Sequence, residues 1–314
     1  MTVAVSVLVT GGCGFLGRHV VAHVLTGGQR VVRLDVAAGA AATDFIAADL
    51  AVGPPDLSAM ALSTVFHVAG LAHVLPRDAK TRQRFFDVNV EGTRNLLLGL
   101  NAASGLPESL VLVSTVAVYG LKEGKDFDEQ TSRGATDPYG ESKLQAEDLV
   151  MEWGERMGVR IGIVRLPLAA GTGAPGNLGS MLSALRRGRY LGVGKGDARR
   201  SMVLAKDVAR VLPQVAEVGG IFHLTDGHHP SFRELEEALC RALDRKNPKR
   251  IPTLAARALG VAGDVMAAAG GAFPFTSRSF HKMTSTLTFS DDNARRELGW
   301  SPTRVVDAAA ELVA

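Results

Sequence analysis

Residues 3–10 form a nearly unbroken apolar, β-branched run, and it breaks at once on Gly11, Gly12, Gly14 and Gly17. An apolar run of strand length bounded by glycines reads as a buried strand, followed here by a tight turn that opens a helix. It has neither a positive leader nor a small-residue cleavage site, so the expectation is a strand and not a targeting segment. The same texture recurs. Strand-like runs at 30–35, 44–49, 64–68, 110–115, 160–166 and 219–224 alternate with helical patterns at 17–26, 89–103 and 140–157. Near-continuous apolar strands separated by helices predict a parallel sheet covered on both faces.

Composition narrows the class. The 314 residues are 46% hydrophobic and 21% charged, which excludes disordered, collagen-like and disulfide-scaffold chains. Lys and Arg outnumber Asp and Glu by only 35 to 32, with a sequence pI near 9.0. That excess is too slight for a nucleic-acid-binding face. Cys13 and Cys240 make no framework of bridges and fit a reducing cytoplasm. Residues 254–275 are rich in Ala and Gly, but Arg257 and Asp264 interrupt them. A membrane span needs ~20 predominantly apolar residues, so the expectation is a helix lining an apolar pocket and no membrane span.

After residue 166 the texture changes. Residues 167–179 hold many Gly, Pro and Ala, and 186–200 carry six basic residues against Asp197 alone. A helix is predicted over 231–243. The expected organisation is a cofactor domain of residues 1–166 plus about 201–224, and a smaller, discontinuous substrate lobe of 167–200 and 225–314. Such a lobe would cap the C-terminal edge of the sheet, where open α/β sheets bind ligands.

Gly11, Gly14 and Gly17 let the backbone turn tightly and approach a pyrophosphate, whose charge the open N–H groups and the helix dipole stabilise. Asp35 closes the second strand, 18 residues after Gly17, near the spacing of an acid that bonds both ribose hydroxyls of a dinucleotide. A carboxylate there repels a 2′-phosphate, and no basic residue follows it before Arg77. NAD is therefore favoured over NADP, with Arg33 on the same strand as the residue that would soften the preference. Asp49 and Leu50, ending the third strand, are placed beside the adenine.

Tyr139 and Lys143 stand four residues apart at a helix start, on one helix face. An unperturbed Tyr has a pKa of about 10, too high for a base at neutral pH, and a nearby ammonium and an oxidised nicotinamide favour its phenolate. Ser114 and Thr115 close the fifth strand, where a hydroxyl meets substrate. Other constellations are weaker. His19 and His23 have metal-like spacing without a third ligand, and His228 and His229 lack companions. Residues 192–196 miss the P-loop spacing, and Cys13 is a small filler in the turn.

Taken together, the glycine motif, Asp35, Val65-Phe66-His67-Val68-Ala69-Gly70, Asn89-Val90-Glu91-Gly92-Thr93, the Ser-Thr-x-x-Val-Tyr-Gly segment from Ser114 to Gly120, and Tyr139/Lys143 resemble the extended short-chain dehydrogenase/reductase superfamily. The resemblance covers essentially the whole chain and is closest to its NAD-dependent nucleotide-sugar epimerase/dehydratase branch. It implies an α/β fold: a Rossmann-like doubly wound parallel sheet with a smaller, discontinuous C-terminal substrate lobe. It implies Thr115 as catalytic hydroxyl and substrate contact, Tyr139 as acid/base, and Lys143 as ribose anchor and tuner of the phenol. Phe15, Leu16, Ala69 and Asn89, with Tyr139 and Lys143, are the further implied cofactor contacts. Asn177 and Arg200 lie where relatives meet the nucleotide diphosphate. Family dehydratases carry an Asp-Glu pair after the Thr; Val116-Ala117 stand here, so a 4,6-dehydratase is disfavoured.

The expected function is an NAD-dependent epimerase or 4-ketoreductase acting at C4 of a nucleotide-linked sugar, by hydride transfer with a Tyr acid/base. The resemblance also implies a homodimer built on helices 89–103 and 140–157. Two alternatives remain at this stage. One is a 3-beta-hydroxysteroid-type alcohol dehydrogenase, which the segment Phe222-His223-Leu224-Thr225-Asp226-Gly227 also resembles. The other is a non-catalytic NAD-sensing regulator, against which both Tyr139 and Lys143 are retained.

Overall fold

The structure is a computed structural model and describes residues 5–36, 44–76, 78–268 and 275–314. The start of the strand expected at 3–10 and the end of the Ala-rich stretch lie outside the described residues. In chain order come β1 (Ser6–Thr10), α1 (Phe15–Thr26), β2 (Val31–Asp35), β3 (Phe45–Ala47) and β4 (Leu62–His67). Helices α2 (Ala79–Phe86) and α3 (Gly92–Asn101) are joined through a π-helical turn at Asp87–Glu91. Then follow β5 (Ser109–Thr115), a 3-10 turn (Val116–Tyr119), β6 (Gly124–Phe127), α4 (Pro138–Met157) and β7 (Arg160–Leu166). Beyond them lie β8 (Leu168–Ala170), α5 (Gly176–Arg186), β9 (Gly192–Val193), β10 (Met202–Leu204), α6 (Ala205–Val218) and β11 (Gly220–His223). The C-terminal part holds α7 (Phe232–Ala242), β12 (Arg250–Ile251), α8 (Thr253–Ala268) and α9 (Ser277–Thr284). It ends with β13 (Leu287–Phe289), α10 (Asp292–Leu298) and α11 (Ala309–Val313).

Seven parallel strands form the central sheet in the order β11-β7-β5-β4-β1-β2-β3. The strand order reverses on either side of β1, and ligands of doubly wound sheets bind in the crevice at that switch point. Both sheet faces are covered, as the apolar strands require. Val20, Val24, Val208 and Leu212 of α1 and α6 pack on one face, and Leu96, Leu100, Val150 and Trp153 of α3 and α4 on the other. A third core gathers Leu178, Leu182, Leu235, Leu239 and Leu312 from α5, α7 and α11. The short pairs β8–β10, β9–β12 and β6–β13 are also parallel. They tie residues beyond β7 to distant chain and had no signal in the sequence pattern.

Helix α8 departs from expectation. Its small residues Ala256, Gly260 and Gly263 are buried, while its large apolar side chains face outward. It does not line an apolar pocket with them. The close approach to α9 explains this: a Cβ on Gly260 would stand 3.1 Å from the Ser277 backbone N, so only small residues fit that side. Among the described residues no helix is long and apolar enough to cross a membrane.

Candidate active site

The cradle after β1 fits the phosphates of a dinucleotide. Gly11 has φ +65°, and a Cβ on it would lie 2.7 Å from the Ala69 backbone N. A Cβ on Gly17 would overlap the Gly11 carbonyl oxygen, so α1 can approach the loop only through glycine. The α1 N-cap is Gly14, which offers no side-chain cap and leaves the first-turn N–H groups open to an anion. Phe15 and Leu16 turn into the core, Phe15 against Gly171. Asp35 sits at the rim of this cradle. Its carboxylate accepts from Cys13 N at 2.9 Å and from Val36 N at 2.8 Å, which fixes it beside the loop. The Arg33 stem lies over Gly12. Exposed Asp49 holds a turn by accepting from Ala51 N, and the buried Leu50 carbonyl accepts from Asn95 Nδ2.

A buried hydrogen-bonded chain ties the cradle to α4. Thr93 Oγ1 donates to Asn89 O at 2.6 Å, so it accepts from His67 Nε2–H at 3.0 Å. His67 Nδ1 is then bare and accepts from Thr10 Oγ1 at 2.7 Å, while that oxygen accepts from Ala69 N. Asn89 donates to Leu71 O and Ser142 Oγ and accepts from Leu71 N, so its amide is fully used in pinning the 69–71 loop against α4. Burial holds His67 down to about 3 and His223 down to about 4.

Both imidazoles are neutral in the fold and must charge when it opens. The unfolded chain therefore binds more protons below pH 6.5, and their stabilisation, complete above that value, is lost as pH falls toward 4 and 3. A pKa that differs by one between folded and unfolded chain is worth about 1.4 kcal/mol, so together the two histidines remove on the order of 8 kcal/mol by pH 3, comparable with a domain's whole stability. Circular dichroism should show acid unfolding with a midpoint between pH 6 and 4. A stability unchanged from pH 6.5 to 4 would contradict the neutral-histidine assignment.

The Tyr, Lys and Thr singled out by sequence do come together. Asp137 caps α4 by accepting from Gly140 N, and Pro138 at its first position has the φ a helix start requires. This places Tyr139 in the first turn, where its phenol faces the Thr115 hydroxyl at the end of β5. Burial pushes the Tyr139 phenol up, and the Thr115 hydroxyl opposes the shift. Lys143, one turn on, is buried with its Nζ near Gly70 and Asn89. Burial brings it down to about 8, against the pull of Glu147.

Below them lies a buried network that sequence reasoning missed. Arg165 on β7 donates to Glu147 on α4 at 2.7 Å and to Tyr119 Oη at 2.7 Å. Ser114 Oγ donates to Glu147 at 2.5 Å. His223 Nδ1 donates to the Ser290 carbonyl, so Tyr119 Oη donates to its Nε2 at 2.6 Å. No periodicity marks a charge inside a buried strand.

Arg200, expected at the diphosphate, belongs to a second group whose other cations, Arg278 and Lys282, sequence reasoning missed. Arg200 donates to the Lys282 carbonyl at 2.9 Å and has no acidic partner among the described residues. Desolvation lowers its pKa and that of Lys282, which also feels Arg278 and Arg200 as like charges and Asp137 as an opposite one. Burial lowers His73, and Lys282 adds to the shift. A Cβ on Gly176, at the start of α5, would meet the His73 ring, which puts exposed Asn177 beside the same region. The sequence marked Arg200 and Asn177 through the resemblance, and gave no sign of His73, Arg278 or Lys282.

The comparisons agree with this geometry. The chain is 24% identical over 312 residues to the UDP-glucose 4-epimerase of Vibrio cholerae, covering 95% of this chain and 90% of the relative. It is 28% identical over 177 residues to an N-acetyl-alpha-D-glucosaminyl-diphospho-ditrans,octacis-undecaprenol 4-epimerase of Escherichia coli O157:H7, covering 54% of this chain and 53%, about half, of that relative. The solved structure of the Thermus thermophilus UDP-glucose 4-epimerase in complex with NAD superposes with a TM-score of 0.73 at 21% identity, covering 98% of this chain and 97% of that one. The model of the NAD dependent epimerase/dehydratase family matches residues 7–222, from β1 through the glycine cradle, Tyr139 and Lys143 to β11. With its cradle, its acid at the end of β2 and its Thr-Tyr-Lys group at the switch point, the chain belongs to that family.

Proposed function

We propose that this chain is an NAD-dependent enzyme acting at C4 of a nucleotide-linked sugar, as an epimerase or a 4-ketoreductase. The observation that carries the reading is Tyr139 facing Thr115, with Lys143 Nζ beside Gly70, next to the glycine cradle. Residues 1–166 with about 201–224 form the cofactor unit in this reading, and 167–200 with 225–314 the substrate lobe. Gly11, Gly14 and Gly17 with the α1 N-terminus would hold the pyrophosphate of NAD, and Asp35 its adenosine ribose. When bound, NAD supplies a hydride acceptor and donor. Tyr139 Oη takes the proton of the sugar hydroxyl and returns it, Thr115 orients that hydroxyl, and Lys143 holds the ribose and favours the phenolate. Asn177, Arg200 and Lys282 would face the diphosphate, the two cations supplying fixed charge in a partly dry cleft.

The cations at the cleft mouth favour a diphosphate over a steroid-like alcohol, whose site needs apolar walls. A non-catalytic regulator would have no use for the Thr115–Tyr139 pair. The test is a panel of UDP-, dTDP- and GDP-sugars incubated with NAD and read for C4 epimers and for reduced nicotinamide. Turnover of none of them would overturn the reading.

Cofactor choice follows from Asp35. NAD is expected to bind more tightly than NADP by at least ~1.4 kcal/mol, a tenfold ratio. Isothermal titration giving equal or better NADP affinity would move the assignment to Arg33. The reading also includes a homodimer through α3 and α4, whose Leu98 and Met151 are 50% and 46% exposed on neighbouring helices. Light scattering should give twice the chain mass; a concentration-independent monomer contradicts it.

A further inference from the structure

Helix α8 has its amphipathicity inverted. A helix of a globular protein turns its large apolar residues inward and its small or polar ones outward. Here Ala256, Gly260 and Gly263 face the protein, while Leu254, Leu259, Val261, Val265 and Met266 are exposed, Leu254 at 80% and Val265 at 65%. Its one acid, the exposed Asp264, accepts from Ser277 N at the start of α9 through Oδ1, on the flank beside that helix. Its one cation, Arg257, is exposed among the apolar side chains. Contiguous exposed apolar surface of this kind marks an interaction site.

The charges on the chain leading into it say what the occupant is. Arg241, Arg245, Lys246 and Lys249 lead into β12 and the start of α8, all exposed, and with Arg257 none of them takes part in an ion pair among the described residues. Over 241–257 only Asp244 carries negative charge. A second copy of the chain seated here would, across a two-fold axis, set this cationic rim against itself. A surface that is apolar at depth and anionic at its rim suits both features at once, and that is the make-up of a bilayer with acidic headgroups.

We propose that α8 and its basic approach dock this protein on an anionic lipid bilayer, with α8 lying in the plane of the headgroups. Helix α9 packs against α8 and carries Arg278 and Lys282. Docking therefore brings Arg278, Lys282 and the Arg200 bonded to Lys282 near the membrane surface. The inference is independent of which sugar the site takes.

The test is co-sedimentation of the full chain with vesicles of phosphatidylcholine alone and of an equimolar mixture with phosphatidylglycerol. The chain should bind the mixed vesicles at least about tenfold more tightly, and salt should weaken the binding. Val261→Gln with Val265→Gln changes only exposed side chains, so fold and cofactor affinity should persist while vesicle binding is lost. Arg245→Gln with Lys246→Gln should reduce binding to the mixed vesicles alone. No binding to either vesicle, or binding unchanged in both pairs of variants, would overturn the proposal. So would a wild-type dimer that the α8 variants convert to a monomer, because a second copy would then be the occupant.

Discussion

Replacing Tyr139 by phenylalanine should lower kcat by about 10²–10⁴-fold and leave NAD affinity nearly unchanged, since general acid–base catalysis supplies a factor of that size. The substitution removes one oxygen and keeps the ring, which packs beside Phe85 at a centroid distance of 6.0 Å. The lost oxygen is the one that faces Thr115. Lys143→Ala should behave differently. It removes an ammonium beside Gly70, where the reading places the nicotinamide ribose, so NAD affinity falls along with kcat. Steady-state kinetics on a substrate from the panel, together with NAD titration of each variant, separate the two roles. Retention of most activity in Tyr139→Phe would put the chemistry elsewhere.

The second large effect lies in stability. Arg165→Met should destabilise the fold by about 3–5 kcal/mol, because removing one partner of a buried pair strands the other charge. Both side chains of the Arg165–Glu147 pair are almost wholly buried, at 3% and 1% exposure. Arg133 stands 3.5 Å from the same carboxylate but is 36% exposed, so it offsets only part of the loss. Adding Glu147→Gln to Arg165→Met removes the stranded charge, and the double variant should regain part of the stability. Urea unfolding of the four proteins forms a double-mutant cycle, and additive losses would contradict a coupled pair. Glu147 lies one turn beyond Lys143 and raises its pKa. The network therefore links the stability of α4 to the charge state of the ammonium it carries.

The legible and illegible parts of this chain divide along physical lines. Buried parallel strands show as contiguous β-branched runs, which is why β1, β2, β4, β5 and β7 lie close to the segments expected for them. β1, β5 and β7 carry their polar signals at their C-terminal ends. The glycine cradle was legible because close approach tolerates no Cβ at Gly11 or Gly17. Tyr139, Lys143 and Thr115 were legible as a joint motif and not from helical spacing alone. Asn89 shows the limit of such reading: the motif marks the residue, while its amide is spent on Leu71 and Ser142. Arg165, Glu147 and Tyr119 meet only because β5, β7 and α4 are neighbours in space. His73 and Arg200 lie on loops far in sequence from α9, which carries Lys282 and Arg278, and their convergence is a property of the tertiary fold. For α8, composition gave the helix, but the apolar pocket expected of it was wrong, because the close approach of α9 admits only its small residues.

The central claim is that Tyr139 and a bound nicotinamide act together on C4 of a diphosphate-linked sugar. Its most direct test is proton NMR of the sugar panel, incubated with the protein and NAD in deuterated water. The account predicts that at least one sugar is oxidised at C4 or converted to its C4 epimer. In the epimer, C4 keeps its original hydrogen, because the hydride removed is the hydride returned. Deuterium at C4 of an epimer, or an unchanged panel with no reduced nicotinamide, would contradict it.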